Sequence, residues 1–152
     1  KIIVNEAAFS DPGLLSAISD LSGSSSLVLA VNVKARVFGG YHLYSSNGAK
    51  KMPVSMETHI LNMQKLGIGE ILVCDINSEG KQCGLNLKLI SHLSSIVNVP
   101  LLISGGMRNL EDARSAFDMG VDGVVGGDMF VYYGDHRAVL ISYPSEAQIA
   151  SL

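Results

Sequence analysis

Two patterns in the sequence predict an α/β fold built on parallel strands. Short apolar segments recur at roughly 25–30-residue spacing with helical patterns between them, the rhythm of strands joined by crossover helices. One of them, Glu70–Cys74, breaks abruptly into a polar, glycine-bearing loop with the acid Glu79 beside Gly80. A rigid strand below and a ligand-binding loop above is how a parallel sheet presents chemistry.

The strand candidates are Ile2–Val4, Leu27–Val33, Glu70–Cys74, Leu101–Ile103 and Gly123–Val125. All are short and continuously apolar, as expected of parallel strands covered on both faces. Asp11–Pro12 opens the first helix, because proline suits the initial turn, and the pattern runs to about Leu21. Met56–Leu66 carries Met56, Ile60 and Met63 at helical spacing, a packing stripe, and stops at Gly67. Leu87–Val97 follows and is ended by Pro100. Asn109 caps the next helix, with Glu111 and Asp112 in its first turn and Gly120 beyond its end. An insertion at about residues 36–52 reads as a β-hairpin, with Gly39–Gly40 turning between Val37–Phe38 and Tyr41–Tyr44. No Gly/Ser linker divides the chain, so residues 1–152 read as one domain.

Composition narrows the function. With 152 residues, 47% hydrophobic and 16% charged, the chain has apolar material for one core. A net charge of −3, with Lys and Arg scattered, provides no field for nucleic acid or an anionic membrane. No apolar stretch approaches the roughly 20 residues of a membrane span. Cys74 and Cys83 form neither a CxxC pair nor a metal cluster with histidine, so no metal or cofactor is expected, and a reducing cytoplasm fits. Lys1 opens directly onto an apolar segment, as expected if something upstream was removed or never recorded.

Five strands are a little over half of a closed eight-stranded barrel, which typically takes about 250 residues. An open five-stranded parallel sheet satisfies the same periodicity.

The segments Asn5-Glu6-Ala7-Ala8-Phe9 after the first strand, the Glu70–Leu72 strand with its glycine loop, and Pro100-Leu101-Leu102-Ile103-Ser104-Gly105-Gly106 stand in one order and spacing. Together they resemble the cyclase (HisF-family) subunit of imidazole glycerol phosphate synthase, a lyase of histidine biosynthesis built as a (β/α)₈ TIM barrel. The resemblance runs from Lys1 to about Tyr143 and would cover barrel strands four through eight, about five β/α units of a half barrel. It implies a glutaminase partner that releases ammonia, and a phosphorylated small-molecule substrate gripped at two phosphate sites. It further implies an acid–base pair of aspartates, one of them on the first barrel strand, outside the matched stretch.

Carried over residue by residue, the second aspartate falls on Asn32, within Ala30-Val31-Asn32-Val33-Lys34. Asparagine keeps the hydrogen-bonding shape but takes up no proton near neutral pH. Glu79 retains the acid of the next loop, beside Gly80, while Lys81 puts a cation where the family has a hydroxyl. Asn5 and Glu6 fall on the first phosphate site. Ser104, Gly105, Gly106, Gly126, Gly127 and Asp128 fall on the other, where glycine amides form an anion nest and Asp128 opposes a phosphate or caps its helix. Lys1 and Glu70 match charges ringing the family's ammonia entrance. The segment Tyr132–Pro144 resembles the tail of a cyclase-like paralogue of surface-polysaccharide (O-antigen) clusters, which transfers ammonia in amidino-sugar synthesis.

The remaining polar residues read more plainly. His42, His59 and His92 have no spacing partners and read as surface or satisfied groups, and Cys74 as a core residue. His136 with Arg137 offers an anion contact, or simply a solvated loop. Two functional classes follow. One is an ammonia-using cyclase in which Glu79 and Asn32 serve the reaction and the chain alone is inactive. The other is a non-catalytic half-barrel module that pairs with itself or with a missing half, because exposed terminal strands and an apolar interior need cover.

Overall fold

The computed structural model describes residues 1–134 and 136–152. In chain order the elements are β1 (Ile2–Val4), α1 (Ala7–Ser10), α2 (Gly13–Ser22), β2 (Leu27–Ala35), β3 (Tyr41–Ser45), β4 (Lys50–Ser55) and α3 (Met56–Gln64). There follow β5 (Glu70–Asp75), α4 (Leu87–Ser94), β6 (Leu101–Ser104), α5 (Leu110–Asp118) and β7 (Gly123–Val125). The tail holds α6 (Asp128–Val131), β8 (Tyr132–Tyr133), β9 (Ala138–Val139) and α7 (Glu146–Ala150).

The parallel strands lie side by side in the order β1-β2-β5-β6-β7. Every new strand adds to the same edge as the last across all five, which is how a (β/α) barrel winds; a doubly wound sheet reverses direction partway, at its switch point. The winding thus selects partial-barrel architecture over the open-sheet alternative. Register ties the rows together: Asn32 lies opposite Cys74, Cys74 opposite Ser104, and Ser104 opposite Val125.

The helices cover only one face of this sheet, contrary to the expectation of strands covered on both. On the covered face Leu29, Val31, Val33, Ile71, Val73 and Ile103 are buried, packed with Leu15, Ile60, Leu89 and Leu93 into one core. Alternate residues face the other way: Ala30, Asn32, Lys34, Leu72, Cys74, Leu102 and Ser104 are half-buried on the inner, helix-free side. Cys74 is therefore an inner-face residue and not a core one.

β1 ends opposite Leu29, which leaves the far edge of β2 unpaired beyond that point. β3 fills this edge in antiparallel register, from Asn32 opposite Tyr44 to Ala35 opposite Tyr41, and β4 pairs with β3 in turn. The first arm of the hairpin is thus the end of β2. Val37 and Phe38, read from the sequence as strand, sit in the turn and are 93% and 100% exposed. Arg36 donates its N–H to the Gly40 carbonyl at 2.9 Å, and Gly39 and Gly40 take the left-handed φ values that close the turn.

The helix starts follow side-chain capping. Ser55, Asn86 and Asn109 each accept from a backbone N–H three residues on, opening α3, α4 and α5. α3 and α4 stop at Gln64 and Ser94, short of Leu66 and Val97. The Leu66 and Ile96 amides instead bond back three residues, to Met63 and Leu93. His59 is a correction to the sequence reading: it is 4% exposed, stacked on Phe9 at 4.3 Å, with Nε2 lacking a partner among the described residues. His92 is paired after all, with Glu57 at 2.8 Å.

Candidate active site at the strand ends

The C-terminal ends of the parallel strands form a mouth, and Glu79 leans over it. Its Oε2 lies 3.3 Å from the Ser104 hydroxyl and 3.4 Å from the Cys74 thiol, both donors to the carboxylate. Glu79 therefore stands above the inner-face row that also holds Asn32. Burial first, and then the Glu79 carboxylate, pushes the Cys74 thiol up to about 12. At neutral pH that sulfur is a protonated hydrogen-bond donor and not a nucleophile.

The loop carrying Glu79 is braced from beneath by Asp75, a buried acid that the sequence reading passed over. Its carboxylate accepts from Asn86 Nδ2 at 2.8 Å, the Asn77 N–H at 3.1 Å and the Ser78 hydroxyl at 3.3 Å. Asn86 also caps α4, so one residue ties the loop to both the strand it leaves and the helix it enters. The neighbouring loop is fitted against it. A side chain at Gly105 would meet the Asp75 carbonyl at 2.4 Å, and one at Gly106 the Gly84 carbonyl at 2.5 Å. Close packing thus demands both glycines, and Gly84 donates to Gly106 at 2.7 Å.

The other sequence-selected residues fall into three places. Asn5 donates to the Ala30 carbonyl at 2.7 Å, and the Glu6 carboxylate accepts the Ser46 N–H. Both fasten the end of β1 to its neighbours. At the opposite edge Gly126 packs on Met107 and Met129, and Gly127 opens α6. Asp128 makes no cap; it receives the Arg137 guanidinium at 2.5 Å, while Arg137 also donates to the Gly80 carbonyl at 3.0 Å. Lys81 is exposed on the loop rim. Lys1 and Glu70 pair with each other at the strand starts, the end of the sheet remote from Glu79.

Lys34 was missed as a site residue. It shares the inner face with Asn32, two residues nearer the mouth, which strand alternation alone could have indicated. Its ammonium lies 4.4 Å from the Tyr44 ring centre and donates to the Gly48 carbonyl at 3.2 Å. Arg137, read from the sequence as an anion contact or a solvated loop residue, is instead bonded within the chain to Gly80 and Asp128, the first of which comes from a distant part of it. Among the described residues no group of three or more His, Cys, Asp or Glu side chains is placed to hold a metal ion, and no helix is long and apolar enough to cross a membrane.

Comparison with known proteins gives this geometry a lineage. A family model described as histidine biosynthesis protein matches residues 1–137. An imidazole glycerol phosphate synthase subunit HisF of Legionella pneumophila is 36% identical over 112 residues, covering 74% of this chain and 53% of that protein. A Pseudomonas aeruginosa protein assigned as such a subunit, hisF2, is 35% identical over 145 residues, 95% of this chain and 58% of its own length. The subunit HisF of Petrotoga mobilis is 32% identical over 139 residues, with 91% and 55% covered. The chain spans a little over half the length of these curated relatives. With barrel winding, strand-end loops and matched sequence in agreement, the chain belongs to the histidine biosynthesis protein family and counts HisF subunits among its relatives.

Proposed function

We propose that the protein serves as an ammonia-using cyclase subunit of the imidazole glycerol phosphate synthase type, with Glu79 as its acid–base group. The observation that carries this reading is the Glu79 carboxylate held 3.3 Å from Ser104 and 3.4 Å from Cys74, above the inner-face row shared with Asn32. A carboxylate fixed over a half-buried polar row is placed to take a proton from a reacting amine and return it. Asn32 orients substrate through its amide, which donates and accepts but does not ionise. Ammonia from a glutaminase subunit enters at the Lys1–Glu70 end and travels along the inner face to the mouth.

The substrate is a phosphorylated ribonucleotide or an amidino-sugar precursor. The second is favoured by one feature: both positions where the family grips phosphate carry an acid, Glu6 and Asp128, and both acids are already engaged by other groups of the chain. A carboxylate beside a phosphate dianion is repelled, and more strongly where water is excluded.

The test is ammonium-dependent turnover on each substrate, measured for the chain alone and with the remaining strands of a relative's barrel supplied in trans. Turnover is expected only in the completed barrel. Glu79→Gln should lower kcat by about 10²–10⁴, and Asn32→Asp should raise it. Absence of turnover on both substrates in a folded, completed barrel overturns the reading.

A second reading, a self-associating half-barrel module without turnover, draws on the open face, where Ile3 is 62% and Val125 42% exposed. It predicts stable assembly of the chain with itself and no ammonium chemistry in any combination.

A further inference from the structure

Lys and Arg are spread along the sequence, but the acids are not. No Asp or Glu stands between Asp20 and Glu57, whereas Lys34, Arg36, Lys50 and Lys51 all lie there. The remaining Lys and Arg share the rest of the chain with all 14 Asp and Glu. The fold gathers this stretch into one arm, the end of β2 with β3 and β4, and β4 is the outermost strand. At the tip of the arm Val37 and Phe38 stand in water, although the Arg36–Gly40 bond closes the turn that holds them. Depressions of about 610 and 450 Å³ flank the tip, and Arg36 and Val37 line both. The larger also holds Tyr41, Lys88 and the Glu57–His92 pair, so the acid in its wall is already engaged. The smaller reaches Phe38 and His42, whose pKa is lowered by desolvation and then by the charges of Lys51 and Arg36. Arg108 and Arg137 are paired with Asp112 and Asp128, and Arg114 donates to the Ser151 carbonyl, whereas the Arg36 side chain has no polar partner among the described residues. It lies back over Gly40, where a β carbon would meet its Cδ at 3.6 Å. Its five N–H donors are thus open to a ligand in either depression.

We propose that this arm docks a short acidic segment of a partner protein, with a carboxylate of that segment on the Arg36 guanidinium and an apolar residue against Val37 and Phe38. A carboxylate matches the planar fork with two parallel hydrogen bonds. Lys88 on one side of the tip and Lys51 on the other add a field of the same sign. An apolar neighbour takes from water the Phe38 ring that the chain itself leaves bare. Arginine beside aromatic rings, here Phe38 and Tyr41, is the composition on which interface affinity concentrates. The turn is closed before any partner arrives, so little ordering opposes docking. A short segment suits the arm better than a long polyanion, because the chain as a whole carries a charge of −3. Nucleic acid or an anionic bilayer would extend beyond the arm onto acidic surface, whereas a short segment stays within about 8–10 Å of it, the reach of charge at ordinary salt.

Fluorescence anisotropy of a dye-labelled peptide of alternating Glu and Leu, titrated with the whole chain at neutral pH, tests this. Saturable binding that weakens as salt rises is expected. Replacing Glu by Gln in the peptide should abolish it, and replacing Leu by Ser should weaken it. Arg36→Ala should lower the affinity about tenfold or more, through loss of charge-assisted hydrogen bonds to one carboxylate. Arg36→Lys, which keeps the charge without the fork, should lower it by less. Phe38→Ser should lower it about threefold and leave the salt dependence as it was. Both positions are exposed, and circular dichroism of each variant verifies that the fold is kept. Failure of the Glu–Leu peptide to bind, equal binding of the Gln peptide, or an affinity indifferent to Arg36→Ala overturns the proposal. Tighter binding to double-stranded DNA or to phosphatidylserine vesicles than to the peptide overturns it as well, by assigning the arm to a polyanion or a membrane. The measurement needs no turnover, so its outcome is independent of the cyclase reading.

Discussion

The two faces of one sheet behave as different materials. Ile71 and Leu72 are adjacent in β5, yet Ile71 lies wholly buried against the helices and Leu72 is half-buried on the inner side. The covered face carries aliphatic residues in close contact and supplies the stability. The inner face mixes Ala30, Asn32, Lys34, Cys74 and Ser104 with partly exposed apolar groups, and toward its mouth the Lys34, Cys74 and Ser104 side chains each have a hydrogen-bond partner. Stability and chemistry are thus separated by the alternation of a strand, one residue apart.

The sharpest way to break that contrast is a pair of truncations. Ile71→Ala should cost about 2–5 kcal/mol, the sum of lost transfer energy and residual cavity. Leu72→Ala should cost well under half of that, because its side chain never leaves water completely. Urea unfolding of the two variants checks this, and equal losses would mean the inner face is as much core as the outer.

Next in size is an effect of pH on the covered face alone. Burial holds His59 down to about 4, against 6.5 for the free side chain. The folded state therefore favours neutral imidazole, and the unfolded chain binds the extra proton first. Stability from this residue is complete above about pH 6.5 and declines as pH falls toward 4, by about 3 kcal/mol in all. His59→Leu should remove that slope from a series of unfolding curves. A slope left unchanged would assign the acid sensitivity elsewhere.

A smaller effect concerns the inner face. The exposed Ile3 and Val125 on it favour association, so light scattering across a concentration series should show the average mass rising above that of a single chain. Replacing Val125 by Lys should lower the mass at a given concentration. A single-chain mass at every concentration would mean this face tolerates water as it stands.

Much of this was readable from the residues. The parallel strands were placed by continuous apolar runs, and the starts of α3 and α4 by apolar spacing from Met56 and Leu87; of the three side-chain caps only Asn109 was named, with Ser55 and Asn86 appearing in the structure. Glu79 stood out for a local reason too, an acid and a glycine just past a strand. What escaped depended on contacts between distant residues. Asp75 was passed over just beyond the strand read as Glu70–Cys74, and only its bonds to Asn77, Ser78 and Asn86 reveal it as the brace of the loop. Arg137 read as an anion contact or a solvated loop residue because its partners, Gly80 and Asp128, meet it only after the tail folds back. His59 lay three residues after Met56 and four before Met63, on the packing stripe of α3, but the ring that covers it, Phe9, arrives from α1, a helix of four residues too short to show a period.

The placement of Glu79 above the inner row is the claim on which the site rests, and the Cys74 thiol reports on it directly. In a Cys83→Ser background, which removes the exposed thiol, the rate of alkylation should be followed against pH for the parent and for Glu79→Gln. The parent should titrate near the value of about 12 set by burial and the carboxylate. Glu79→Gln should shift the curve downward while burial keeps it above an ordinary thiol. A Cys74 that titrates as a free thiol in both proteins, indifferent to Glu79, would remove the carboxylate from the row and the proposed site with it.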